Sequence, residues 1–91
     1  MTQIINTPVD VNAFYFAGQD VRTFPRTIEY AGRAITFATG LRYLVQKGGE
    51  ALQLFDMDAT DGQTYRLQQQ GSSWTLLATS TEAEEEALWS R

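Results

Sequence analysis

The sequence predicts an all-β fold, a small antiparallel barrel or sandwich of six or seven strands with a short C-terminal helix. Three observations predict it. Between Val9 and Thr79, runs rich in aromatic and β-branched residues recur roughly every eight to twelve residues, the spacing of barrels and sandwiches. Segments bearing glycine separate these runs, and hairpin turns commonly need the positive φ that glycine adopts without strain. At Thr81 the pattern changes from alternation to a short, acidic, helix-forming stretch.

Taken in order, the first eight residues read as a flexible lead-in, residues 9–80 as the β domain and residues 81–91 as an acidic helical tail. The candidate strands cover residues 9–16, 24–30, 34–38, 41–46, 52–57, 64–68 and 74–78. Their breakers are Ala17-Gly18-Gln19-Asp20, Ala31-Gly32-Arg33, Thr39-Gly40, Lys47-Gly48-Gly49-Glu50, Asp61-Gly62 and Gln70-Gly71-Ser72-Ser73.

Within the runs, alternation separates an inward set from an outward one. Phe24, Ile28 and Tyr30 share one phase, with Ile35 and Phe37 continuing it; Tyr65 with Leu67 and Trp74 with Leu76 repeat it. Pro25 withholds a backbone donor and therefore marks the start or the exposed edge of its strand. Residues 41–46 also fit one helical turn. The first run breaks alternation: Val9, Val11 and Ala13 lie on one phase, Phe14 and Phe16 on the other. That calls for a bulge near Ala13 or for cover on both faces.

In the tail, Thr81 and Glu84 fit a capping box, and Glu82 to Glu86 lie near the positive end of a helix. Such a helix, over residues 82–89, is about two turns long and needs something packed on it to persist.

The run Phe24-Pro25-Arg26-Thr27-Ile28-Glu29-Tyr30-Ala31-Gly32-Arg33 resembles a hairpin of small bacterial β-rich domains of unknown function. In those domains a strand opening with proline carries an apolar residue, an aromatic and then Gly-Arg. Tyr65-Arg66-Leu67 followed by Trp74-Thr75-Leu76 resembles their closing hairpin. The resemblance implies a small β-rich bacterial domain and carries no activity. Tyr30 stands where such domains often have tryptophan, and the acidic tail is outside the pattern.

Composition bounds the chemistry. The chain has no cysteine and no histidine, which removes disulfides, thiolate nucleophiles, zinc–sulfur sites, imidazole ligands and every histidine-based triad. No basic segment precedes an apolar run as in a secretory leader, and no stretch approaches the roughly 18 to 20 apolar residues of a membrane span. The expectation is a soluble, cytoplasmic protein with no membrane association. Of the net charge of −4, residues 1–80 contribute seven acids against six bases, and residues 81–91 contribute four glutamates against Arg91. Neither part supplies the basic field that drives nucleic-acid binding.

Four clusters invite a functional reading. Asp56, Asp58 and Asp61 with Gly62 suggest a calcium loop, but the third acid falls at loop position 6, glycine at 7 and Leu67 at 12, so the residues read as a turn. Arg26, on the phase of Phe24 and Ile28, reads either as an anion ligand at a barrel mouth or as a strand-end residue with its head in water. Arg22, Arg33, Arg42 and Arg66 with Tyr15, Tyr43 and Tyr65 contain the residue types of a single-strand-binding platform. Lastly, Phe14, Tyr15 and Phe16 cannot all face one core, and Leu88-Trp89 tip a helix that cannot stand alone. These five are the candidate partner-binding residues. The expected function is therefore a non-enzymatic protein-interaction or assembly module, without cofactor or metal, whose partner is another protein or a second copy. The alternative is single-stranded nucleic acid or a small ligand on the barrel face.

Overall fold

The computed structural model describes residues 2–18 and 22–81. Six antiparallel strands close into a barrel in chain order. They are β1 (Gln3–Ala17), β2 (Arg22–Tyr30), β3 (Arg33–Lys47), β4 (Glu50–Ala59), β5 (Gln63–Gln70) and β6 (Ser73–Thr81). The meander puts the β1–β2, β3–β4 and β5–β6 hairpins at one end, here the upper end. The β2–β3 and β4–β5 turns lie at the lower end, together with Gln3 and Thr81.

The all-β expectation holds, as a barrel of six strands. Three boundaries differ from the sequence reading. Residues 3–8 are not a lead-in: they form the first part of β1 and pair with β6, Gln3 opposite Thr79 and Val9 opposite Trp74, which is the contact that closes the barrel. Thr39-Gly40 is not a turn, and residues 34–38 and 41–46 belong to the single strand β3. The helical alternative for residues 41–46 falls with it, since Leu41 to Gln46 pair continuously with β4. Thr81, read as the start of the tail, ends β6 opposite Gln63. The expected helix over residues 82–89 lies outside the described residues.

The inward set is largely as alternation gives it. Ile28, Ile35, Phe37, Phe55, Met57, Tyr65, Leu67, Trp74 and Leu76 form one buried cluster, with Ile5, Val9, Val11, Tyr15, Phe24, Tyr30 and Ala59 packed against it. An aromatic series runs through it: Tyr15 stacks on Phe24 at 5.4 Å, Phe24 meets Phe55 edge-on at 6.0 Å, and Phe55 lies 5.1 Å from Trp74. Offset and edge-to-face pairs of this kind add about 0.5 to 1.5 kcal/mol each beyond the area they bury.

So small a barrel requires sharply bent strands, and the register shows how they bend. β1 pairs with β6 through residues 3–9 and with β2 through residues 10–17, changing partner midway. The bulge expected near Ala13 is present: Val11 pairs with Ile28 and Ala13 with Thr27, leaving Asn12 over. Ala13 and Phe14 then pair with Thr27 and Pro25, which leaves Arg26 over on β2 and restores the register. β3 pairs with β2 only through Arg33 to Thr36 and thereafter with β4, skipping Ala38. Above Thr27 and Thr36 the β2–β3 seam has no further register pairs among the described residues.

Arg26 spans that seam. Its guanidinium donates to the Phe37 carbonyl at 3.1 Å and lies 4.2 Å from the Tyr15 ring centroid. A side chain thus continues the seam where the backbone ladder stops. Pro25, beside it, lies on the open side where no donor is needed, although its side chain is buried rather than exposed.

Gly40 is needed for a different reason from the turn glycines. Its φ is not left-handed. It pairs with Met57, and a Cβ there would collide with the Met57 thioether and stand 2.9 Å from the Asp56 carbonyl oxygen. Gly40→Ala is therefore expected to destabilise the fold by about 1 to 3 kcal/mol in urea unfolding, the ordinary cost of overpacking. Trimming the collision in Gly40→Ala/Met57→Leu should lower that cost relative to the sum of the single changes. Equal stability of Gly40→Ala and wild type would contradict the close approach.

Candidate functional site

The β1–β2 and β3–β4 hairpins part above the last β2–β3 register pair, leaving an opening at the upper end of the barrel. It encloses about 360 Å³ and is lined by one residue from every strand: Phe14, Thr23, Arg42, Gln53, Gln69 and Trp74. The strand pairs explain the convergence. Arg42 stands opposite Phe55, Gln53 opposite Gln69, and Gln69 opposite Trp74. Trp74 and Phe14 form aromatic walls with centroids 6.0 Å apart. The Arg42 guanidinium lies 5.7 Å from the Phe55 ring centroid and donates to the Gln53 side-chain carbonyl. No carboxylate is among the lining residues. The mouth thus offers one cation, two amides and a hydroxyl between apolar walls.

Its rim is apolar. Phe16 is 67% exposed and Leu44 61%, and Phe14 on the wall is still 48% exposed. Of the other two large hydrophobic residues exposed among the described ones, Leu41 lies opposite Asp56 on the outer wall and Ile4 near the lower end. Leu44 shares the phase of Arg42 but lies beyond the last layer of the core.

Of the candidate partner-binding residues, the structure brings Phe14 and Phe16 to this end. Tyr15 turns inward onto Phe24, and burial, partly offset by Arg26, pushes its phenol above the usual range. Leu88 and Trp89 lie outside the described residues. Thr23, Arg42, Gln53 and Gln69 are not legible as a group in the sequence, because only strand pairing unites one polar residue from each of four runs. Arg26 is not a strand-end residue: it lies within β2, and its Nη1 donates to the Phe37 carbonyl.

The other clusters do structural work. The three aspartates have three different sets of partners. Asp56 is buried on the outer face, accepting from Arg66 Nε at 2.7 Å, Arg66 Nη2 at 2.9 Å and the Tyr43 hydroxyl at 2.6 Å. Asp58 accepts from Thr64 at 2.9 Å. Asp61 accepts from the Gln63 amide at 2.9 Å and from the Tyr65 hydroxyl at 2.6 Å, closing the β4–β5 turn. Among the described residues no group of three such side chains is placed to hold a metal ion, and no buried side-chain nitrogen or oxygen lacks a partner. The arginine–tyrosine platform is not assembled on one face: Tyr65 is in the core, Tyr15 is inside, and Tyr43 and Arg66 meet on Asp56.

No protein-family model, curated protein or solved structure matches this chain. The likeness of its Phe24 to Arg33 segment to small bacterial β-domains rests on those residues alone.

The Tyr65 phenol gives a pH test of the lower end. Burial first, then the hydrogen bond to Asp61 and the charge of Asp61, push its pKa from 10.0 up to about 12. The raised value favours the neutral phenol in the folded state. Its contribution is present in full below pH 10 and is lost as pH rises towards about 12. Wild type should therefore lose more stability between pH 9.5 and 11.5 than Tyr65→Phe, by chemical denaturation at the two pH values. Equal losses would contradict the buried, Asp61-bound phenol.

Proposed function

We propose that this chain is a non-enzymatic protein-interaction module that docks partners at the upper end of its barrel. The observation that carries the reading is the concentration of exposed Phe14, Phe16 and Leu44 on the β1–β2 and β3–β4 arms around the mouth. Isolated surface hydrophobics need no explanation, but a cluster rimming a concave polar site is the usual signature of a recognition surface. Absence of histidine and cysteine, and the structural partners found for Asp56, Asp58 and Asp61, support a module that binds rather than reacts.

Phe16→Ser combined with Leu44→Ser tests it. Both side chains are exposed, so unfolding free energy should change by no more than about 0.5 kcal/mol per site. Retention of partner on the immobilised chain should fall at least about tenfold, the equivalent of 1.4 kcal/mol. Unchanged retention would overturn the reading. Retention that instead disappears steeply with added salt, with nucleic acid in the eluate, would favour the single-stranded nucleic-acid alternative.

A further inference from the structure

The mouth has a chemistry that this chain itself can satisfy, in a second copy. We propose that the mouth of one molecule receives the acidic, Trp89-tipped segment 82–91 of the next, giving a head-to-tail assembly. The proposal rests on the docking reading above and names its occupant.

Topology favours an intermolecular contact. β6 ends at Thr81 at the lower end, while Phe14, Arg42 and Trp74 ring the upper end. In the helical form that its sequence favours, residues 82–89 would extend only about 12 Å. The barrel measures 33 × 32 × 29 Å. Even fully extended, eight residues span at most about 28 Å. Climbing β6 from Thr81 to the level of Trp74 takes about 23 Å of that before the rim is crossed. A neighbour stacked end to end presents its mouth at once.

Charge points the same way. By register the upper half carries Arg22, Arg26, Arg42 and Lys47 against Glu50, and Asp20 lies outside the described residues. The lower half carries Asp10, Glu29, Asp58 and Asp61 against Arg33. The segment that leaves the lower end adds Glu82, Glu84, Glu85 and Glu86. A molecule positive at one end and negative at the other favours stacking end to end over pairing like ends. The mouth supplies an Arg42 guanidinium with no lining carboxylate, and Phe14 and Trp74 as walls for an indole. The segment supplies glutamates two to six residues ahead of Leu88-Trp89.

A contact between unlike surfaces can be rebuilt from two half-defective molecules, and a contact between like surfaces cannot. Arg42→Glu spoils the mouth and leaves the segment intact; Trp89→Ala does the reverse. Gln69→Glu serves as a second mouth variant on a residue less involved in packing. Circular dichroism of each confirms folding. In sedimentation equilibrium, wild type should rise above 10.2 kDa with concentration while each variant alone stays at that mass. An equimolar mixture of a mouth variant with Trp89→Ala should form a species of about twice 10.2 kDa and go no further. Wild type that stays monomeric, or a mixture that stays monomeric while wild type associates, overturns the proposal. If the mixture fails yet Phe16→Ser/Leu44→Ser still abolishes partner retention, the docking surface stands and only its occupant is wrong. If both fail, both readings fall.

Discussion

Closing six strands around one narrow core is the constraint on which the rest of this structure depends. A cylinder so narrow cannot be made from straight strands, so β1 and β3 each serve two neighbours and change partner along their length. The bends leave residues over: Asn12 on β1, Arg26 on β2 and Ala38 on β3. A further irregularity on β6 leaves Leu77 over opposite β5. The bends let the lower barrel close through β1 and β6 and let the upper arms diverge. Arg26 then bridges the seam by side chain, with Tyr15 beneath its guanidinium.

The same divergence creates the mouth. Trp74 belongs both to the core, through Phe55, and to the mouth, through Phe14. The floor of the site is therefore the top layer of the hydrophobic core and is held rigid by it. The rim residues Phe16 and Leu44 have no such support and remain exposed. On the outer wall, Asp56 gathers Tyr43 and Arg66 from the strands on either side of β4, tying β3, β4 and β5 together independently of the core. A floor held by core packing and a wall held by an ion pair leave the arms free to differ from what stability alone requires.

How much of this was legible in the sequence follows from the range of the interactions involved. Turns are local: Gly48-Gly49 and Asp61-Gly62 lie where their residue types indicate. Alternation is nearly local, so Tyr65, Leu67, Trp74 and Leu76 were readable as core, and the broken phase at Ala13 announced a bulge. Residues 3–8 were misread because their ordering comes from β6, some seventy residues away. Gly40 was misread because a glycine that makes room for Met57 looks the same in one dimension as a glycine that turns the chain. The mouth was hidden for the same reason: Arg42, Gln53 and Gln69 are ordinary strand residues until pairing brings them together. Only Phe14 and Phe16 signalled it, through an aromatic run too long for one face.

The claim that the upper end is the binding end, and that it meets the lower end of another molecule, has a direct spectroscopic test. The chain has no cysteine, so Ser90→Cys creates a single attachment point for a spin label. Spin-labelled, isotopically silent protein mixed with unlabelled-tail, ¹⁵N-enriched protein reports only contacts between molecules. The account predicts paramagnetic broadening centred on the amides of Phe14, Phe16, Thr23, Arg42 and Trp74, with those of Ala31, Gly32 and Gly62 at the lower end unaffected. Broadening centred on the lower turns, or none at concentrations where the protein associates, would contradict it.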